Sequence, residues 1–183
     1  MAAVLGLARD VASIGPEAVR VLLLSTGSEE TMLEGMEAFL RRHRNELDPS
    51  QTLVVCLDMV GWDRLIVREG EGVLRHYPSH PRDLDLLLRA ARAAGVDVAV
   101  AARGPAPSDG LAARWAGLPA LLLSSVAANG GYPHYHRPTD VPDNINPETV
   151  VAARRLCVEL VAQLDAERMS GAFPEAPTGI EPV

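Results

Sequence analysis

Lysine is absent from this chain of 183 residues: all seventeen basic residues are arginine. They face 24 acidic residues, for a net charge of −7 and a pI of about 5.2. No stretch concentrates the arginines. A nucleic-acid partner or an anionic membrane surface needs a basic patch, so neither is expected. Cysteine is scarce too. Cys56 falls in an apolar, strand-like run and Cys157 on the apolar stripe of a helix, so two buried free thiols are expected. No run of eighteen apolar residues occurs, and no membrane-spanning helix is expected. Met1–Leu7 is apolar, but no basic segment precedes it and Arg9 and Asp10 follow, so it does not read as a signal peptide. Aromatics make up 4% of the chain and mark no recognition pocket.

What is present is apolar and periodic. A hydrophobic content of 48% suits one domain with a core of its own. Met1–Ser13 reads as a helix that is apolar around most of its circumference and has no capping residue at its start. Such a helix asks for burial on several sides, and implies sequence ahead of it. Arg20–Ser25 and Leu53–Leu57 read as buried parallel strands. Glu30–Arg42 reads as a helix. Arg64–Arg68 and Gly72–His76 read as a hairpin turning at Gly70-Glu71-Gly72. Leu84–Ala94 reads as a helix closed by Gly95, Val96–Ala101 as a strand, Ser108–Ala116 as a short helix and Pro119–Ser124 as another buried strand. Residues 126–145, rich in Gly, Pro, Asn and Asp, form a long loop. Asn146 and Pro147 then open the last helix, as N-cap and first helical residue. The domain spans 1–168, and 169–183 is an aperiodic, disordered tail. Alternating helices and unbroken apolar strands predict an α/β architecture: a mostly parallel, mixed sheet with helices on both faces, a three-layer sandwich. Sites in such sheets gather at the C-terminal ends of strands.

Four polar positions stand there. Glu29 and Glu30 lie between a strand and a helix. Acidic residues also favour a first helical turn because they meet the positive end of its dipole. Equally, adjacent carboxylates project differently, so one can bind a metal while the other reaches a water. Asp58 ends the apolar run LVVCL, where a carboxylate is costly to bury without a partner; it also reads as a helix cap or turn former. His136 sits in the long loop two residues from His134, and loops of that length are often functional. Ser108 reads as a helix cap. Phosphate-loop and dinucleotide fingerprints are absent.

The order and flanks of these positions resemble the zinc exopeptidase family of bacterial leucyl aminopeptidases, aminopeptidase Y and glutamate carboxypeptidase. Gly27-Ser28-Glu29-Glu30 resembles its Gly-x-Glu-Glu motif. Leu57-Asp58-Met59-Val60-Gly61 resembles its Asp-Met-x-Gly strand end. Ser108-Asp109 with Ala116-Gly117-Leu118-Pro119-Ala120 resembles its Ser-Asp-His…Ala-Gly-Ile-Pro-Ala block, with Gly110 in place of the His. Tyr135-His136-Arg137-Pro138-Thr139-Asp140 resembles its Tyr-His-Thr-x-x-Asp. The resemblance runs from about Met1 to Leu164. It implies two zinc ions, a peptide substrate and hydrolysis that releases N-terminal residues. It also implies Glu29 as general base, Glu30 and His136 on one metal and Asp58 on the other. The family's His-x-Asp and Asp-Asn-x-x-Gly segments, which carry a histidine ligand and a bridging aspartate, have no counterpart. Their place is ahead of Met1, so an incomplete ligand set, weak zinc binding and impaired hydrolysis are expected. Two further readings share these residues: a non-catalytic or truncated peptidase-like domain, and glutaminyl-cyclase-like aminoacyl transfer.

Overall fold

The computed structural model describes residues 1–72, 74–102 and 107–171. Helix α1 (Ala2–Ile14) opens the chain without a side-chain cap and ends at Gly15, whose left-handed φ of 57° lets its N–H close onto the Val11 carbonyl. The elements that follow are α2 (Glu34–His43), β1 (Val54–Leu57), β2 (Arg64–Arg68), β3 (Gly70–Glu71), β4 (Tyr77–Pro78), α3 (Pro81–Ala93), β5 (Val98–Ala101), α4 (Asp109–Trp115), β6 (Ala120–Val126) and α5 (Pro147–Met169). Asn146 caps α5 by accepting from the Glu148 N–H at 3.0 Å, with Pro147 at the first helical position as expected.

Four strands form one mixed sheet in the order β1-β6-β2-β5. β1 lies parallel to β6 and β2 parallel to β5, while β2 and β6 are antiparallel. Helices cover both faces, as the alternating pattern predicted. Strand β6 is buried at all seven residues and shows why. Its Leu121 and Leu123 point into a cluster with Leu7 and Val11 of α1, Leu87 and Ala91 of α3, and Leu156 and Cys157 of α5. Ala120 points the other way, into Met36 and Leu40 of α2 and Leu111 and Ala113 of α4. Side chains alternate across a strand, so one apolar run supplies two cores. Cys56 and Cys157 are free, and burial pushes both thiols up to about 12. The native protein is expected to leave a disulfide reagent unreacted at pH 8 and to release two thiols once unfolded, because the thiolate is the reactive form. Rapid labelling of the native protein would contradict this packing.

Two expectations need correction. Arg20–Ser25 is not a strand: Leu22, Leu23 and Leu24 are 53%, 40% and 38% exposed, and only Val21 packs on the larger core. The run has strand composition, but no neighbouring strand pairs with it among the described residues. Nor do Arg64–Arg68 and Gly72–His76 form a hairpin. Strand β2 joins the main sheet, and Gly70–Glu71 pair instead with Tyr77–Pro78 in a separate two-stranded ribbon. The physical reason is Glu71, which is drawn into the interior rather than left in a turn (1% exposed). Helix α5 runs to Met169, one residue beyond the expected boundary. Most of the expected tail, residues 172–183, lies outside the described residues.

Candidate metal centre

Three separate segments bring acidic groups and an imidazole to one end of the sheet. The first is the turn ahead of α2. Helix α2 starts at Glu34, not at Glu30, and Leu33 precedes it in the left-handed region (φ 64°). Glu29 and Glu30 therefore stand in a turn, outside the reach of the α2 dipole, which removes the helix-start reading for them. The turn is closed by the Leu33 N–H on the Glu29 carbonyl (2.9 Å) and the Glu34 N–H on the Ser28 carbonyl (3.2 Å). It packs tightly against α2: a Cβ on Gly35 would stand 2.1 Å from the Gly27 carbonyl oxygen, so only glycine fits there.

The second segment is the end of β1. The Asp58 N–H bonds to the Leu123 carbonyl at 3.2 Å, which extends the β1–β6 register by one residue and fixes the carboxylate just past it. The third is the loop after β6. There His136 Nε2 lies 2.7 Å from Glu30 Oε1, a contact between residues 106 positions apart. His134 takes no part, since its Nδ1 meets the Thr139 hydroxyl at 3.0 Å. Tyr135 stacks on the His136 ring at 3.9 Å between centroids.

Non-glycine residues at positive φ are Ser28, Met32, Leu33, Met59 and His136 among the described residues. Every one is a site position or lies within three residues of one. Such conformations cost about 1–3 kcal/mol each and persist where the surroundings over-determine them, commonly at functional sites.

The electrostatics agree with this grouping. The Glu29 carboxyl is held above its ordinary range, first by burial, then by the charges of Asp58, Glu30 and Asp109, with His136 opposing. Asp58 is raised by burial first and then by Asp109, while a hydrogen bond from the Met59 N–H opposes. Tyr135 is raised by burial and then by Glu30, Glu29 and Asp58. Asp109, the first residue of α4, thus belongs to the same field. Its Oδ2 accepts from the Thr26 hydroxyl, and its buried Oδ1 has no hydrogen-bond partner.

In donor type the group suits zinc: carboxylates and an imidazole. In number it falls short. No three His, Cys, Asp or Glu side chains among the described residues converge closely enough to hold an ion. Glu30 and His136 offer two donors side by side, whereas a catalytic zinc normally has three from protein. Hollows of 400 and 530 Å³ lie elsewhere, along Pro147–Arg155 and between α1 and α5 at Asp10, Ile14 and Val158.

The family model described as Peptidase family M28 matches residues 1–161. The chain belongs to this family. Its fold is shared with solved structures of low identity. One is the Legionella pneumophila LapA aminopeptidase (TM-score 0.62, 20% identity, 78% of this chain and 38% of that one). Another is the aminopeptidase from Aneurinibacillus sp. strain AM-1 (TM-score 0.65, 23% identity, 100% and 40%). A third is the Bacteroides thetaiotaomicron glutaminyl cyclase (TM-score 0.59, 20% identity, 87% and 59%). This M28 chain therefore spans less than two thirds of the length of each. No curated protein matches the sequence.

Glu71, Asp109 and Thr26 are the residues that sequence reasoning passed over. Beyond its place in the Ser108-Asp109 block, Asp109 was legible only as a residue beside a helix cap, a role Ser108 does fill by accepting from the Gly110 N–H at 3.1 Å. Glu71 stood between two glycines and carried the signal of a turn.

Proposed function

We propose that this M28 domain takes part in metal-dependent release of N-terminal residues from peptides, with Glu29 as general base and Glu30, His136 and Asp58 as metal ligands. The observation that carries the reading is the contact of Glu30 with His136 directly beside a Glu29 carboxyl held above its ordinary range. A raised carboxylate is a stronger base near neutral pH, which suits transfer of a proton from water to a leaving amine. Zinc, when bound, supplies Lewis acidity and an acidified water. Glu30 and His136 hold their donor atoms together by their mutual hydrogen bond, and His136 does so from a positive φ. Asp58 adds negative charge at the strand end. With two donors in contact and Asp58 apart from them, the chain alone binds zinc weakly and hydrolyses slowly.

Thermal unfolding with added zinc tests this. Zinc at 100 times its dissociation constant is expected to add about 2.7 kcal/mol of stability. His136→Ala and Glu30→Ala are each expected to abolish the rise. A wild-type chain whose Tm ignores millimolar zinc would overturn the ligand assignment. Assays with aminoacyl amides and with peptides bearing N-terminal glutamine separate hydrolysis from cyclisation, the second reaction that this fold carries among the structures above.

A further inference from the structure

Glu71 plays no part in that reading, yet its burial and partners tie it to the same centre. Its Oε1 accepts two bonds from one residue: the Ser108 backbone N–H at 3.1 Å and the Ser108 hydroxyl at 2.6 Å. Hydrogen bonds to an ionised acceptor are shorter and stronger than neutral ones. Its Oε2 faces Arg114 Nε at 3.5 Å. The same oxygen lies where a side chain at position 110 would begin, since a Cβ on Gly110 would stand 2.7 Å from it. Gly110 is the position at which this sequence departs from Ser-Asp-His. The space left by the missing side chain is the space Glu71 uses.

From Ser108 the connections continue toward the acidic centre. The next residue, Asp109, accepts from the Thr26 hydroxyl, and Thr26 stands three residues ahead of Glu29. We propose that Glu71 is a positioning residue: its buried carboxylate fixes Ser108, and through Asp109 and Thr26 it holds the Gly27–Glu30 turn beside Asp58 and His136. What the turn does rests on the function proposed above; that Glu71 holds it does not. Two roles of Glu71 separate cleanly. One is the ion pair with Arg114, which concerns the stability of the whole domain. The other is the pair of hydrogen bonds accepted from Ser108, which concerns the turn.

Amide hydrogen exchange, read residue by residue by NMR, tells them apart. The reporters are the Leu33 and Glu34 N–H groups, which close the Glu29 turn, and the references are Leu156 and Leu160 in the core of α5. Glu71→Ala is expected to speed exchange at Leu33 and Glu34 at least about tenfold relative to the references. Thr26→Val is expected to do the same, and the double variant to add nothing further. Glu71→Gln keeps an oxygen for Ser108 but removes the charge facing Arg114. All four amides are then expected to speed up together, with their ratio within about twofold of wild type. Uniform acceleration in Glu71→Ala, or a turn that responds to Thr26→Val but not to Glu71→Ala, would overturn the proposal. If Glu71→Ala does not fold, Ser108→Ala removes one of the two bonds, and an unchanged ratio there overturns it equally. No step of this readout needs hydrolysis, so it fails or succeeds independently of the peptidase reading.

Discussion

Arg114→Met is expected to lower the stability of the domain by about 3–5 kcal/mol, the usual cost of leaving a buried charge without its partner. The Arg114 side chain is 6% exposed and its ion-pair partner Glu71 1%. Its two terminal nitrogens serve three acceptors: Nη1 donates to the Pro78 carbonyl at 2.8 Å, and Nη2 to the Ser79 hydroxyl at 2.9 Å and to the Ala120 carbonyl. One guanidinium therefore joins the β3–β4 ribbon to α4 and to the start of β6. Methionine fills most of the volume, so the loss is polar rather than a cavity. The pH dependence identifies its source. Burial raises the Glu71 carboxyl, and Ser108 and Arg114 pull it back. Without Arg114 it rises further. A carboxyl whose folded value lies above its unfolded one destabilises the fold as pH rises through that interval, because the folded state holds the proton longer. The deficit of the variant should therefore be largest at about pH 7.5 and shrink as pH falls through about 4, where Glu71 takes up its proton in the unfolded state as well. Urea unfolding at the two pH values measures it. An equal deficit at both would assign the loss to the three acceptors instead.

This network also marks where sequence reasoning stops. Local signals located most elements. The Asn146-Pro147 pair placed the start of α5 because capping is a property of adjacent residues. The apolar runs around Val54 and Leu121 placed β1 and β6 because both faces of those strands are covered, so composition alone records their burial. Arg20–Ser25 has the same composition and no ladder. A strand needs a partner edge, and the identity of a partner is not written in the strand itself. Glu71 failed for a related reason: its partner Ser108 is 37 residues away, and between Gly70 and Gly72 a glutamate looks like turn solvation. At the site, the residues alone left a place in the first helical turn and metal binding open for Glu29 and Glu30. The observed start of α2 at Glu34 decides against the first-turn reading. His136 beside Glu30 was legible only through the order of motifs, since 106 residues separate them.

The residues that sequence order did connect are the ones the fold holds at a cost. Glu29 is raised by burial and by Asp58, Glu30 and Asp109, Asp58 by burial and by Asp109 and Glu30, and positive φ values cluster around them. A site that crowds like charges is stabilised by removing one of them, and on the function proposed above the same change removes its chemistry.

Glu29→Gln should display both effects in one variant. Glutamine matches glutamate in shape and cannot accept a proton. Loss of a general base typically costs about 10²–10⁴-fold in rate. Slow hydrolysis of an aminoacyl amide by the zinc-loaded chain is accordingly expected to fall to the background, while the zinc-dependent rise in Tm persists, because Glu29 is not a proposed ligand. In the metal-free protein the same substitution is expected to raise Tm at about pH 7, because it removes a carboxyl that its surroundings hold above its ordinary range. The sign follows from the raised carboxyl. In wild type the charged form is penalised at every pH above its raised value, and the penalty disappears as pH falls through its ordinary value. The gain in Tm should therefore vanish at about pH 4. A gain of equal size at both pH values would mean that packing, not charge, was relieved. Unchanged hydrolysis with Tm raised would leave the crowded carboxyl in place and remove Glu29 from the role of base.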